Sequence, residues 1–460
     1  MLARATKVLA SKGSVLLSSK KPEKTGTSKK VLREIFHAAL LPVDPYQAVN
    51  RHREEIFRAY DLNRCERLLL IGFGKAASPM SKAVADSLPD RLSRGIIITK
   101  YGHAPAGNRS DRIAVFEAGH PLPDENGVKA TQEVVRLLGP ADHQTLIVCL
   151  ISGGGSALLV SPVNGVTLAE KQGVTELLLK AGGAIHELNA LRKHLSTVKG
   201  GRLAQIASPA PVVSLILSDV IGDRLDVIAS GPTAPDPSTY REVVEVIAKY
   251  RLAARIPPSV AEIIARGAQG LIPETPKEGH QVFRNVKNII IGSNALAVDA
   301  AKQAAEHLGY EAEIISTTLS GEAAVVARDL AGRALEIRQA LSPGRQVCLL
   351  AGGETTVTVD GGGLGGRNTE LALAFALEIR DLKGITLLSA GTDGTDGPTD
   401  AAGALADGQT VAQALGLGLD PSSSLADHDS YTFFKKLDDL VITGPTGTNV
   451  MDIQLILIEG

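Results

Sequence analysis

Tryptophan is absent from this chain, and aromatic residues of all kinds make up only 3% of it. A surface that stacks nucleic-acid bases needs aromatic faces, so this scarcity argues against one. An excess of either charge is missing too: the formal net charge is −2 and the pI about 6.6. That balance lacks the basic footprint of a nucleic-acid or anionic-membrane partner. Cysteine occurs three times, at Cys65, Cys149 and Cys348, with no CxxC or Cys/His spacing. The pattern holds neither a disulfide framework nor a structural zinc, and fits a reducing compartment. Cys149 and Cys348 lie in apolar runs and read as inert core thiols. No apolar run approaches the roughly 18 residues needed to span a bilayer.

Glycine is plentiful, with 47 residues, and much of it follows apolar runs. The central stretch is 145–160. Thr145–Ile151 is a continuous apolar run with β-branched residues, the pattern of a strand buried on both faces. It stops at Ser152-Gly153-Gly154-Gly155-Ser156. Three successive glycines remove every Cβ, so backbone N–H groups can close on a ligand. A bare Gly triplet also fits a flexible connection. Two further edges of the same kind, Leu70–Ala76 and Leu349–Glu354, point to a site assembled from several loops.

The chain has 460 residues, which predicts two domains. Residues 1–30 hold no acid before Glu23 but carry Arg4, Lys7, Lys12, Lys20 and Lys21. That composition fits an organelle-targeting presequence or a disordered basic extension. The protein is accordingly expected in the cytoplasm, or in mitochondria if this leader is a transit peptide. Residues 31–60 read as helical. Strands at 66–72, 95–99, 113–117, 145–151 and 211–217 then alternate with helices, which predicts a parallel sheet covered on both faces. The proline-rich, less regular stretch 231–285 is taken as the boundary, giving domains 31–275 and 276–460. The alternation restarts with a strand at 286–291. Residues 346–351 and 355–360 read as a hairpin or as consecutive strands, and 453–458 as a closing strand.

Gly72-Phe73-Gly74-Lys75-Ala76-Ala77 matches the dinucleotide fingerprint G-x-G-x-x-A, which makes an NAD(P) enzyme the rival. The acid expected about 20 residues on is absent, because the second strand ends in Thr99-Lys100. Lys75 sits where a helix N-terminus disfavours a cation, which a bound phosphate or carboxylate would explain. There is no Walker motif, so any ATP is not cradled as in a P-loop. Ser218-Asp219…Gly222-Asp223 and Gly391–Asp400 bring carboxylates to strand ends. Phosphoryl transfer needs acids there to hold Mg²⁺ and orient a hydroxyl, although Asp turns also favour such loops. Lys199-Gly200-Gly201-Arg202 and Gly365-Gly366-Arg367-Asn368 pair glycines with a cation at a helix start, a combination suited to an anion. His120 and His186 have no partner legible in the sequence and read as structural or surface residues.

Taken together, these stretches resemble the glycerate kinase type 2 family, whose C-terminal part is the MOFRL domain. The resemblance covers about 31–460. It rests on LISGGGSALL at 150–159, LNALRKHLSTVKGGRLA at 188–204 and SLILSDVIGDRLDVIASGPT at 214–233. It continues with IIIGSN at 289–294, LLAGGETTV at 349–357, GGRNTELAL at 365–373, GTDGTDGPTDAAGA at 391–404 and TGPTGTNVMD at 443–452. It implies ATP- and Mg²⁺-dependent phosphorylation of D-glycerate, usually at the 2-hydroxyl, by a monomer or homodimer. It also implies a Rossmann-like domain and a second α/β domain with the site in the cleft between, and it leaves the early helix free to pack with the second. The lysine and arginine of the family's active site fall on Lys75 and Arg367. With them Asp219 and Asp393 are the expected catalytic acids, and Asp219 and Asp223 the expected metal ligands. Ser152, Gly153, Gly154, Gly155, Ser156, Lys199, Arg202, Glu354 and Asn368 are expected to bind substrate or phosphate. Thr369 stands where the family more usually has Gln, which leaves the role of that side chain open. Family members have often been called hydroxypyruvate reductases, so that activity is the alternative, with a non-catalytic anion-binding protein as the third.

Overall fold

The computed structural model describes residues 28–104 and 111–460; residues 1–27 of the basic leader lie outside them. Six strands form the first sheet: β1 (Arg67–Phe73), β2 (Leu92–Lys100), β3 (Ile113–Ala118), β4 (Thr145–Ile151), β5 (Val212–Leu217) and β6 (Val286–Gly292). Their order is β3-β2-β1-β4-β5-β6 and every pairing is parallel. All residues of β4 and β5 are buried, as continuous apolar runs between two layers of helices must be. The strand at 286–291, which the sequence assigns to the second domain, is instead the sixth strand of this first sheet. The stretch 231–285 is not a linker either. It carries helices Tyr240–Lys249 and Pro258–Ala268, whose Val243, Ile247, Val260 and Ile264 share an apolar core with Val174, Leu188 and Leu191. Its prolines start and stop helices within one lobe, and so mimic a boundary.

The second sheet contains β7 (Glu311–Glu322), β8 (Gln346–Thr356), β9 (Ile385–Gly391), β10 (Gly403–Asp407), β11 (Leu440–Val441) and β12 (Asp452–Glu459). Its order is β11-β10-β9-β12-β8-β7. Only β7 and β8 pair in parallel; β12 lies antiparallel between β8 and β9. Residues 346–356 form one strand rather than a hairpin.

The helical span 31–60 is broken into Ser28–Leu40, a short 3₁₀ turn, Pro45–Arg51 and Arg53–Leu62. Pro42 and Pro45 remove the N–H groups that a continuous helix would need. Ser28–Leu40 packs on helix Asn294–His307 and on β9 and β12 of the second sheet, burying Leu32, Ile35, Phe36 and Ala39. Lys29 at its start pairs with Asp439 at 2.8 Å and Asp407 at 3.2 Å. Ser28–Lys30 therefore belong to the fold and not to the leader.

Candidate active site

In an open parallel sheet a crevice forms where strand order reverses, beyond the carboxyl ends of the two central strands. Here those strands are β1 and β4. β1 delivers Lys75, β4 delivers Ser152–Ser156, and β5 delivers Asp219. The turns interlock: Lys75 N–H donates to Gly153 O at 2.9 Å, and Ala76 N–H to Ser152 Oγ at 3.1 Å. A Cβ on Gly153 would lie 2.4 Å from Asp219 Oδ2. One on Gly154, where φ is +82°, would lie 2.8 Å from His120 Cδ2 and 3.5 Å from Lys75 Cγ. Only glycine lets Asp219, His120 and Lys75 approach the loop this closely. The Gly153 and Gly154 N–H groups find no acceptor among the described residues. The Lys75 side chain makes no ion pair among the described residues, although its charge acts on Asp219.

The second sheet supplies the opposite wall. β8 ends with Glu354, β12 begins with Asp452, the loop after β9 holds Asp393, and Arg367 opens helix Arg367–Glu378. Asp452 is paired in register with Gly353 and Gly391, so the antiparallel ladder fixes its place. Arg367 clasps Asp452 with two hydrogen bonds, Nε to Oδ2 at 2.5 Å and Nη2 to Oδ1 at 2.9 Å, and reaches Glu354 through Nη1 at 2.8 Å.

The walls interact electrostatically. Burial raises the Asp219 carboxyl above its ordinary range, and the Lys75 charge opposes that rise. Burial also raises Glu354; Arg367 opposes, and the negative charges of Asp452, Asp219 and Asp393 add to the rise. Asp219 comes from the first sheet and Glu354 from the second, so the two walls face each other across one cleft. His120 is pushed down to about 4, by burial first and then by the Lys75 charge, and is neutral at physiological pH.

The structure thus brings together Lys75, Gly153, Gly154, Asp219, Glu354, Arg367 and Asp393. Ser152 is buried and holds the turn, while Gly155 closes it by donating to Ser152 O. Lys199 is buried and donates to Ser156 O at 2.6 Å and Ser156 Oγ at 3.1 Å. Two expectations are corrected. Arg202 points away: its guanidinium donates to Ser196 O and to Lys193 O at 3.4 Å, tying off the carbonyl end of helix Ile185–His194. Asn368 is buried in an internal network, where its side chain donates to Asp396 and accepts from Ser389 Oγ at 2.8 Å. The anion at that helix start is the chain's own Asp396, which accepts from Asn368 N–H at 2.9 Å and Thr369 N–H at 2.8 Å. Thr369 Oγ1 donates to the same carboxylate at 2.8 Å, which gives this side chain a structural role. Asp223 lies in the same loop after β5 as Asp219, at the end of a short 3₁₀ turn, Ile221–Asp223.

Two residues of the walls were not assigned to the site from the sequence: His120, which read as a structural or surface residue, and Asp452. His120 lies in a Gly-His-Pro loop after β3, far from the glycine triplet along the chain. Asp452 is one acid beside an apolar strand. Register and topology alone show where each lies.

Mg²⁺ binds through one or two carboxylates plus substrate phosphates more often than in an all-protein cage. The cleft fits that mode. Its acids outnumber its cations, burial destabilises two of them as anions, and no group of three or more His, Cys, Asp or Glu among the described residues is arranged to hold a metal. Asp219 and Glu354, with Asp393 beside them, are the residues that would hold the ion, which would neutralise phosphate charge.

Comparison with known proteins agrees with this architecture. Residues 31–265 match a domain of unknown function, and residues 347–452 match the MOFRL family. The chain is 43% identical to the D-glycerate 2-kinase of Thermotoga maritima, over 94% of this chain and 98% of that protein. It is equally identical, over 94% and 95%, to an Agrobacterium vitis protein with a provisional hydroxypyruvate reductase name. The crystal structure of the Thermotoga maritima glycerate kinase superposes with a TM-score of 0.84, covering 94% of this chain and 99% of that one. Sheet order, facing walls and whole-length similarity place this chain in the glycerate kinase type 2 family.

Proposed function

We propose that this protein transfers the γ-phosphoryl group of ATP to the 2-hydroxyl of D-glycerate, with Mg²⁺. The observation that carries this is Lys75, without an ion pair among the described residues, beside a half-buried Asp219 whose charge is felt by Glu354 of the Arg367 wall. Phosphoryl transfer is mostly positioning and charge neutralisation. Asp219 accepts the hydroxyl proton as that oxygen attacks the γ-phosphorus; the bond from that phosphorus to the bridging oxygen breaks and ADP leaves. Lys75 neutralises charge on the transferring oxygens. Arg367 uses the N–H groups left free by Asp452 and Glu354 to hold the glycerate carboxylate. Mg²⁺, when bound, screens the phosphate charges.

The reductase alternative is disfavoured at the fingerprint turn. Ser152 Oγ already takes the Ala76 N–H, and Ser152 packs against Gly74, where a pyrophosphate would need to lie. Incubating the protein with ATP, Mg²⁺ and D-glycerate should release ADP, and NMR of the product should show 2-phosphoglycerate. NAD(P)H oxidation with hydroxypyruvate, without ATP consumption, would overturn the proposal. A 3-phosphoglycerate product would move the acceptor to the other hydroxyl.

No helix among the described residues is long and apolar enough to cross a membrane. A cytoplasmic location, or a mitochondrial one if residues 1–30 act as a presequence, is part of the same proposal; imaging a C-terminal fluorescent fusion tests it.

A further inference from the structure

A cavity of about 660 Å³ opens beside the glycine triplet, lined by Gly154 and Ser156. That size lies within the range of roughly 300–1,000 Å³ typical of small-molecule sites. Its floor is cationic. Lys171 and Lys199 are buried in it, and Arg192 is half-buried. Lys171 Nζ donates to Arg192 O at 3.1 Å and Leu195 O at 2.7 Å, and Lys199 Nζ donates twice to Ser156. An ammonium has three N–H donors, so each keeps one. Arg192 has no hydrogen-bond or ion-pair partner among the described residues. Burial lowers the proton affinity of all three groups, and the cations depress one another further: Lys199 and Arg192 act on Lys171, and Arg192 acts on Lys199, which is pushed down to about 7. The one carboxylate on the rim, Glu176, is paired with Lys180 at 2.6 Å. Three basic side chains gathered without a counter-charge resist being charged together in the protein alone, and a bound polyanion would favour their charged forms.

The mouth of the cavity is apolar. Leu122 is 73% exposed and Leu179 is 51% exposed, and both line it. At its inner end Gly154 and His120 belong at once to the cavity and to the Lys75 site. A second cavity, of about 610 Å³, offers a contrast. Its Lys193, Lys249 and Arg224 are all paired with carboxylates, at Asp236, Glu187 and Asp226, so it has no uncompensated positive charge among the described residues.

We propose that the 660 Å³ cavity seats the phosphate donor, a purine nucleoside triphosphate, with its base between Leu122 and Leu179 and its phosphates running over Arg192, Lys171 and Lys199 towards Gly154 and Lys75. This deepens the kinase proposal and rests on it for the identity of the donor. The arrangement explains how ATP is held without a P-loop. Side-chain cations supply what a glycine-rich loop at a helix N-terminus would otherwise give, and the triplet handles only the terminal phosphate.

The test uses the full chain and a fluorescent ADP analogue, with tripolyphosphate as a competitor that has no base. Arg192→Met should raise the Kd for the analogue and the KM for ATP by about tenfold or more, the loss of one charge-assisted contact, while the KM for glycerate stays within about twofold. The Leu122→Ser/Leu179→Ser double variant alters only exposed positions. It should weaken the analogue but leave competition by tripolyphosphate unchanged. Either set of variants leaving nucleotide Kd and KM unaltered, or moving the KM for glycerate instead, would overturn the placement. If the analogue binds and these variants weaken it, yet the wild type transfers no phosphoryl group to glycerate, the nucleotide seat stands and the kinase proposal falls. If the wild type phosphorylates glycerate and the variants keep its ATP affinity, the reverse holds.

Discussion

Arg367 is clasped by Asp452 through both Nε and Nη2, at 2.5 and 2.9 Å, and meets Glu354 through Nη1 at 2.8 Å, so three of its five N–H donors are already committed to the protein. Asp452 is 1% exposed and fixed in the ladder, whereas Arg367 is 33% exposed. The acid therefore acts as the mount and the arginine as the part that meets the cleft.

Arg367→Lys removes the two-point grip and should raise the KM for glycerate by about tenfold to a hundredfold, the loss of one or two charge-assisted hydrogen bonds. Asp452→Asn keeps the shape but leaves Arg367 unanchored. It should lower kcat/KM and also the Tm, because one member of a partly buried pair is removed. Steady-state kinetics with thermal unfolding checks both. An Asp452→Asn enzyme with wild-type kinetics would show that the clasp is structural only.

Lys75→Ala should lower kcat by about 10²–10³ and change Tm little. Among the described residues the side chain makes no ion pair whose loss would destabilise the fold. A raised KM for glycerate with unchanged kcat would exchange its role with that of Arg367.

Asp219 gives a prediction with a definite sign. Its folded carboxyl is raised by burial. Such a group stabilises the fold fully below its unfolded value of about 3.9, and that contribution is lost as pH rises through the folded value. Asn cannot ionise. The Tm of Asp219→Asn relative to wild type should therefore climb from pH 4 to 7, while kcat at pH 7 falls by about 10² or more, as for loss of a general base. A Tm difference that does not change over this range, together with normal kcat, would remove Asp219 from the mechanism.

The chain start separates leader from fold. Deleting residues 1–26 should leave kcat and KM within about twofold. Deleting 1–30 also removes Lys29 and its contacts to Asp439 and Asp407, and should cost about 1 kcal/mol of stability, as for a partly exposed pair. Chemical denaturation of the two truncations measures the difference; equal stability would make Lys29 dispensable.

What the sequence by itself determined is local. The apolar run 145–151 has the length and β-branched content of a strand buried on both faces, and three glycines end it, so β4 and the position of its loop were legible. The same holds for β1 with Lys75 and for β5 with Asp219, because each depends on period, burial and turn residues within a few positions. Tertiary structure decided what lies across the cleft. Nothing near Asp452 in the chain announces that an antiparallel strand places it beside Gly353 and Gly391 and against Arg367. Nothing near Asp396 shows that it occupies the helix start that an external anion was expected to fill. Arg202 had the right neighbours in sequence and the wrong direction in space, because free carbonyls at a helix end lay within its reach. The strand at 286–292 was legible as a strand, but its sheet was not, since pairing joins residues that the chain keeps far apart. A carboxylate or guanidinium takes its role from the charges around it, and those charges are brought together only by the fold.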